Sequence, residues 1–126
     1  MNRRRQTLAA FNEWKKRDFT WGDADCCQFA AYVAKKITGI DYVSAFKYDS
    51  EDEAQRIIDK DGGLSALLTR VLGNPSDERA DGDPVLLDIP LMGELVGVWF
   101  GTAAVALTER SMLRIDSRYV VRGWHL

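Results

Sequence analysis

The cysteine pair Cys26 and Cys27 is the feature of this sequence that is best suited to chemistry. Either Asp23 or Asp25 is a suitable N-cap for a helix that begins at this pair. Unpaired N–H groups and the helix dipole favour a negative charge at a helix N-terminus, so Cys26 stands where a thiol becomes a nucleophile. The apolar positions that follow have the spacing of one helical face, at Cys26, Phe29 or Ala30, Val33 and Ile37.

A catalytic cysteine also needs a general base within hydrogen-bond reach and a group that orients the base. Histidine is the usual base because its pKa lies near neutrality. This chain has one histidine, His125, the penultimate residue. His125 is a candidate base if the last strand runs beside the cysteine helix, and is otherwise expected to be a surface residue.

Each of these residues also has a purely structural interpretation. Free cysteine is among the most buried residue types, so Cys26 can be a small core residue, and Cys27 is expected to pack on a different side of the helix. Asp25 is more typical of an N-cap than of a catalytic carboxylate. Two adjacent cysteines lack the spacing of a Cys-x-x-Cys pair and of a zinc site, so we expect no metal, no cofactor and no disulfide.

The composition is that of one domain with its own core, since the chain has 126 residues and is 46% hydrophobic. Seventeen basic and 19 acidic residues leave a net charge of -2, which argues against nucleic acid or an anionic membrane as a partner. The basic run Arg3-Arg4-Arg5 is expected to be a solvated terminus rather than a phosphate-binding arm. No apolar run approaches the roughly 20 residues that span a bilayer, so we expect no membrane span and no signal peptide.

Helical patterns occupy the first half of the chain, about residues 6–73. Gly39 and Gly73 are expected to end two of the helices, and Ser50 begins a capping box. Residues 74–83 are polar and rich in turn formers, which is typical of a linker. The predicted helices cover residues 6–17, with Trp14 as a core anchor, 25–38, 51–60 and 64–72.

Strand patterns follow over about residues 84–124, with Gly101-Thr102 as a predicted hairpin turn. Helices first and an antiparallel sheet second predict a single α+β domain over residues 1–126. Core filling is the default for the large aromatic residues on these strands, whereas exposed aromatics would mark a contact surface. The predicted strands cover residues 85–87, 94–100, 103–107, 112–115 and 119–124.

Three motifs occur in an order that is typical of one known family. Phe19-Thr20-Trp21-Gly22 is similar to a Tyr-x-Trp-Gly loop, Asp25-Cys26 to an Asp-Cys nucleophile pair, and Gly82-Asp83-Pro84-Val85 to a Gly-Asp-Leu-Val strand entry. Over about residues 18–108 the chain therefore resembles the NlpC-type cell-wall hydrolases, papain-like cysteine peptidases that cut peptidoglycan stem peptides. The resemblance implies an NlpC-like fold, with helices packed on a sheet and Cys26 in the nucleophile position.

The strand that carries the family's catalytic histidine departs from the pattern. The segment 95–101 is similar to His-Val-Gly-Ile-Tyr-Ile-Gly, but Leu95 stands where the histidine is expected. A third family position, usually polar, falls within the apolar segment 103–107. Because loss of a catalytic base commonly costs several orders of magnitude in rate, we do not expect an ordinary peptidase.

The segment Trp21 to Ala31 and the terminal Gly-Trp are more similar to small phage-encoded relatives of these hydrolases that lie among tail genes. The resemblance implies a non-catalytic structural component of a bacteriophage tail tip or baseplate, made in the host cytoplasm and located in the virion tail. Its expected partners are other tail proteins, bound through a sheet edge and an aromatic surface that includes Trp99, Phe100 and Trp124. The alternative is a cysteine hydrolase of peptidoglycan peptides, with Cys26 as nucleophile and His125 or a partner's residue as base.

Overall fold

The structure, a computed structural model, describes residues 2–126; Met1 lies outside the described residues. Within residues 2–126, four helices come first and five strands follow, so the α+β prediction is confirmed. The helices are α1 (Arg3–Trp14), α2 (Cys26–Thr38), α3 (Glu51–Lys60) and α4 (Leu64–Leu72). The strands are β1 (Pro84–Ile89), β2 (Gly93–Phe100), β3 (Ala103–Leu107), β4 (Met112–Asp116) and β5 (Val120–Gly123).

Helix α2 packs on α1 and on the sheet, mainly on β2. Its buried residues, Phe29, Ala30, Val33 and Ala34, follow the helical spacing that the sequence predicts. Gly39 ends the helix in the left-handed conformation at φ 80°, as expected of a glycine after the last turn. Among the helices of residues 2–126, none is long and apolar enough to cross a membrane.

The sheet has the strand order β4-β3-β2-β1-β5, and every neighbouring pair is antiparallel. Gly101 and Thr102 form the predicted turn between β2 and β3, and Gly101 has a φ of 64° there. In the register, Val96 of β2 lies opposite Leu86 of β1. Strands β4 and β5 are therefore the two edges of the sheet.

The two faces of the sheet belong to two separate apolar clusters. Because side chains alternate along a strand, Val96 and Val98 point to the helix side, where they meet Phe29 of α2. The opposite face forms a second cluster, around which the half-buried Leu95 and Trp99 pack. The buried members of that second cluster are Val85, Leu87, Ala104, Ala106 and Ile115.

The first residue of the basic run is bound to the body of the protein, so the expectation of a solvated terminus was wrong for Arg3, whereas the side chain of Arg4 is exposed. A guanidinium nitrogen of Arg3 lies 2.6 Å from the carboxylate of Asp83. The guanidinium of Arg4 lies 4.7 Å from the centroid of the Phe100 ring. Helix α1 also begins earlier than predicted, at Arg3, because the side chain of Asn2 caps it by accepting from the amide of Arg5.

Residues 74–83 connect α4 to β1 without regular secondary structure, and hydrogen bonds fix them to the sheet. The amide of Ser76 donates to the carbonyl of Gly123 at 2.9 Å, and the amide of Gly82 donates to the carbonyl of Trp99 at 2.8 Å. The backbone of this segment therefore bonds to β2 and to β5. These hydrogen bonds hold the segment between the helical half and the sheet half against the sheet.

The three aromatic residues proposed for a contact surface differ in burial. Trp124 is 1% exposed and is part of the core beneath the helices. Trp99 and Phe100 are half-buried, and the Phe100 ring packs 5.4 Å from the ring of Phe11. Core filling is confirmed for Trp124, which removes it from any surface that a partner could contact.

Candidate functional site

The loop before α2 is closed by its own backbone and by a close contact with a distant segment. The amide of Thr20 donates to the carbonyl of Ala24 at 2.9 Å, and the amide of Ala24 donates back to Thr20 at 2.8 Å. Gly22 has a φ of +84°, and a Cβ built there would lie 1.8 Å from the carbonyl oxygen of Tyr48. Only glycine fits this position, which holds the loop against the segment that precedes α3.

Asp25 is the N-cap of α2, and its side chain is almost completely buried. One carboxylate oxygen accepts from the amide of Gln28 at 2.8 Å. The other accepts from the amide of Gly22 and from the hydroxyl of Tyr48, both at 2.8 Å. Burial and the nearby Asp25 carboxylate raise the pKa of Tyr48, so this hydroxyl keeps its proton and donates a hydrogen bond to the cap.

The sequence predicted the capping role of Asp25, which is confirmed, but it did not indicate Tyr48. Tyr48 lies 23 residues after Asp25 in an irregular segment, so no periodic pattern connects the two side chains. The one local signal was the aromatic content of residues 40–49. Together, Gly22, Asp25 and Tyr48 fix the position and direction of the first turn of α2.

The Cys26 thiol opens α2 and is half-buried. The hydrogen bond that it accepts from the Cys27 thiol lowers its pKa most, and the backbone N–H of Val96 on β2 lowers it further. Burial and the nearby Asp25 carboxylate act in the opposite direction, and the net shift is downward. The pKa of Cys26 is therefore lowered mainly by its neighbour Cys27 and by β2.

Cys27 has the opposite environment, although it is the next residue. Its hydrogen bond to Cys26 raises its pKa most, and burial and the charges of Cys26 and Asp25 raise it further. Its side chain lines an apolar cavity together with Ala30 and Val96. Cys27 therefore keeps its proton and donates the hydrogen bond of the pair. Its place in the wall of the cavity agrees with its predicted packing role.

Among the described residues, no imidazole acts on the pKa of Cys26. The groups that act on it are the Cys27 thiol, the backbone N–H groups of Val96 and Cys27, and the carboxylate of Asp25. The Asp25 carboxylate is already the cap of α2 and accepts three hydrogen bonds. On the helix side of β3, the predicted third position falls on residues such as Val105 and Leu107, both of them apolar. On the helix side of β2, Glu94 is exposed and does not act on the pKa of Cys26.

Leu95 does not face the thiol, which changes the interpretation of the sequence match. Its side chain packs against the cluster on the far side of the sheet, whereas Val96 points to the helices. The reason is the alternation of side chains along a strand, which a sequence match alone does not fix to one face. The residue type at position 95 therefore does not decide whether a base reaches Cys26.

The structure places His125 with acidic residues and not with Cys26. Its Nδ1 lies 2.8 Å from the carboxylate of Asp83, and its Nε2 lies 3.2 Å from that of Glu78. The strand that precedes it, β5, is an edge strand beside β1, whereas α2 packs mainly on β2. The two predicted site residues are therefore not brought together by a hydrogen bond.

A model of the family described as "Domain of unknown function (DUF6950)" matches residues 1–126. The chain belongs to DUF6950. No curated protein matches it.

Asp83 is the second organising carboxylate of the DUF6950 chain, and it is fully buried. It accepts from Arg3 at 2.6 Å, from the amide of Ala80 at 2.9 Å and from the amide of Leu126 at 3.0 Å, in addition to the contact with His125. Arg3 also donates to the main-chain oxygen of Leu126 at 2.7 Å. Asp83 thus joins α1, the entry to β1 and the segment after β5.

The surroundings of Cys26 in the DUF6950 chain lower the pKa of its thiol. A lower pKa increases the fraction of thiolate, which is the form that attacks an electrophile. Within the part of the chain that the structure describes, no group of three or more His, Cys, Asp or Glu side chains is arranged to hold a metal ion.

Proposed function

We propose that this DUF6950 chain is a non-catalytic structural or assembly component of a bacteriophage tail tip or baseplate, built on an NlpC-like fold. The observation that carries the proposal is the absence of a base among the hydrogen-bond partners of Cys26 in the described residues. The contacts of His125 with Asp83 and Glu78 support the same conclusion. The phage context and the NlpC-like identity rest on the sequence resemblance.

The contact surface that suits this role best is the edge of β4. Strand β4 pairs with β3 on one side, and the structure gives its other side no strand partner within residues 2–126. An unpaired edge presents N–H and C=O groups that can pair with a neighbouring chain. Leu113 on β4 is exposed, and the half-buried Trp99 lies on the same face two strands away. The β5 edge is less open because Ser76 bonds to Gly123.

Incorporation into particles of the encoding phage tests the proposal, with three variants compared by quantitative immunoblotting of purified virions. Cys26→Ala is expected to be incorporated at the wild-type level, because the thiol has no role in assembly. Leu113→Asp is expected to reduce incorporation severalfold by placing a charge at the edge of β4. Leu8→Asp on α1 is the matched control, since Leu8 and Leu113 are similarly exposed at 40% and 36%.

The proposal is wrong if Cys26→Ala abolishes incorporation or infectivity while its circular dichroism spectrum and melting temperature stay at wild-type values. Equal effects of Leu113→Asp and Leu8→Asp on incorporation would show that the edge of β4 is not the contact surface. The folded state of each variant is checked before the virions are compared.

A cysteine hydrolase remains the second candidate because the pKa of Cys26 is lowered. In this alternative, Cys26 attacks a peptidoglycan peptide and a residue of a partner protein acts as base, since His125 is engaged by two carboxylates. It predicts release of soluble muropeptides from purified peptidoglycan, only when the partner is present and only with Cys26 intact.

A further inference from the structure

A cavity of about 90 Å³ lies among α2, α3, α4 and the segment 41–49. Its walls are apolar, and the polar side chains that reach it are Cys27, Tyr42 and Tyr48. Protein interiors leave few voids larger than a water molecule, and an apolar cavity does not hold ordered water well. The cavity therefore has the properties of a site for a small apolar group.

Helix α3 covers this cavity loosely. It contributes Ala54, Ile57 and Ile58 to the lining, yet no residue of α3 is fully buried. An element with few buried apolar contacts opens at a lower free-energy cost than the core does. A ligand can thus enter the cavity by a displacement of α3 that leaves the sheet in place.

A polar pocket of about 480 Å³ adjoins the cavity on the same side of the molecule. Val43, Phe46 and Tyr48 line both spaces, so the apolar space and the polar one share part of their walls. Helix α3 also borders both, through Glu53 in the pocket and Ala54 in the cavity. A ligand with one apolar end and one polar end matches this arrangement.

The charged side chains of the polar pocket favour a cation as the polar end of such a ligand. Three carboxylates and one ammonium group line it, from Asp41, Asp49, Glu53 and Lys47. The carboxylate of Asp41 accepts from the amides of Val43 and Ser44, so it is already occupied. Asp49 and Glu53 also line the pocket, and the neighbouring carboxyl group of Asp49 raises the pKa of Glu53. A cation placed between these two acids would relieve their repulsion.

We propose that this region binds a small organic amine, with its ring or branched alkyl group in the cavity and its ammonium group against Asp49 and Glu53. The apolar group leaves water when it enters the cavity, and this burial favours binding. The ammonium group gains charge-assisted hydrogen bonds from a pocket with excess negative charge. The site is separate from the Cys26 thiolate and does not depend on the assembly function.

Benzylamine is the probe, and its binding to the full chain is followed by two-dimensional amide NMR. We expect saturable shifts in α2, α3 and residues 41–49. Benzoate has the same ring with the opposite charge, and methylammonium has the charge without the ring. Both are expected to bind at least about tenfold more weakly, which corresponds to about 1.4 kcal/mol.

Two variants test the two ends of the site separately. Glu53→Gln is expected to weaken benzylamine binding about tenfold, the order of one charge-assisted hydrogen bond. Glu51→Gln is its matched control, because Glu51 lies in the same turn of α3 but does not line the pocket, and it is expected to leave binding unchanged. Ala54→Leu fills the cavity and is expected to weaken benzylamine while leaving the weak binding of methylammonium as it was.

Several results would overturn the proposal. They are shifts that do not saturate, benzoate binding as tightly as benzylamine, and equal effects of Glu53→Gln and Glu51→Gln. Spectra of the free protein that change in the same region on dilution would show a second copy as the occupant, and would equally overturn it. If Ala54→Leu fails to fold, the two glutamate variants still decide the question.

Discussion

Two buried carboxylates organise this domain, and they have different partners. Asp25 accepts from two backbone amides and the hydroxyl of Tyr48, and it lies beside a thiol whose pKa is lowered. Asp83 accepts from a guanidinium and contacts the one histidine of the chain. A thiol and an imidazole–carboxylate pair are therefore both present, but no hydrogen bond joins His125 to Cys26 in the described residues. In both places the carboxylate joins chain segments, which is an architectural role.

The largest effect is expected from Asp83→Ala, which removes the hub of the second region. The variant leaves the Arg3 guanidinium, the His125 ring and two amides without their partner. Breaking a buried ion pair from one side is costly, so the free energy of unfolding should fall by about 3 kcal/mol. Urea denaturation at pH 7 measures the change.

The control for this variant is Asp23→Ala, which removes an exposed carboxylate paired with Arg17. We expect its urea midpoint to stay close to that of the wild-type protein, because exposed ion pairs contribute little. Similar midpoints for the two variants would mean that the Asp83 cluster does not hold the fold together.

The next largest effect is expected from Gly22→Ala in the loop that holds the first region. The added Cβ would meet the Tyr48 carbonyl and would also force a residue with a side chain into φ +84°. The expected loss of stability is about 2 kcal/mol or more. Gly39→Ala is matched in φ, at +80°, but has open space around its Cβ, so it should cost less. Equal losses in thermal or urea unfolding would show that the contact with Tyr48 is unimportant.

Cys27→Ala is expected to raise the pKa of Cys26, because it removes the hydrogen bond that lowers this pKa most. The thiolate fraction at a fixed pH below the pKa then falls, by about tenfold for each unit of the rise. Iodoacetamide labelling of Cys26 across pH 5–9, resolved by peptide mapping, measures this shift. Cys27→Ser retains a hydroxyl donor and should shift the profile less. Identical profiles for the alanine and serine variants would contradict the assigned hydrogen bond.

The smallest effect is expected from His125→Ala, which tests whether the two regions are independent. Loss of the contact with Asp83 should reduce the free energy of unfolding by about 1 kcal/mol, because the ring is partly exposed. The pH profile of Cys26 labelling should not move. A displaced profile would show that His125 acts on the thiol and would favour the hydrolase alternative.

The elements of the fold were predictable because their signals are local. Ser50 caps α3 as the sequence indicates, with its side chain accepting from the amide of Glu53. Gly39 and the Gly101-Thr102 turn also act over a few residues. The bounds of α1 were predicted less well, because the cap comes from Asn2 and not from an amphipathic pattern.

The site was predictable only in part, because its remaining contacts join distant positions. Cys26 and Asp25 are adjacent and form a local capping pattern, which the sequence revealed. Arg3 and Asp83 are separated by 80 positions, and no periodicity relates a basic terminus to a strand entry. The side of the sheet on which Leu95 lies was also inaccessible, since a match of residue types does not fix which strand face points to the helices.

The most direct test of the central claim is a digestion of purified peptidoglycan by the wild-type chain and by Cys26→Ala, analysed by mass spectrometry of the soluble fragments. Our account predicts that the two proteins, each confirmed as folded, give the same fragments as a buffer control. Release of muropeptides by the wild-type chain alone, lost in Cys26→Ala, would contradict it and would establish a cysteine hydrolase.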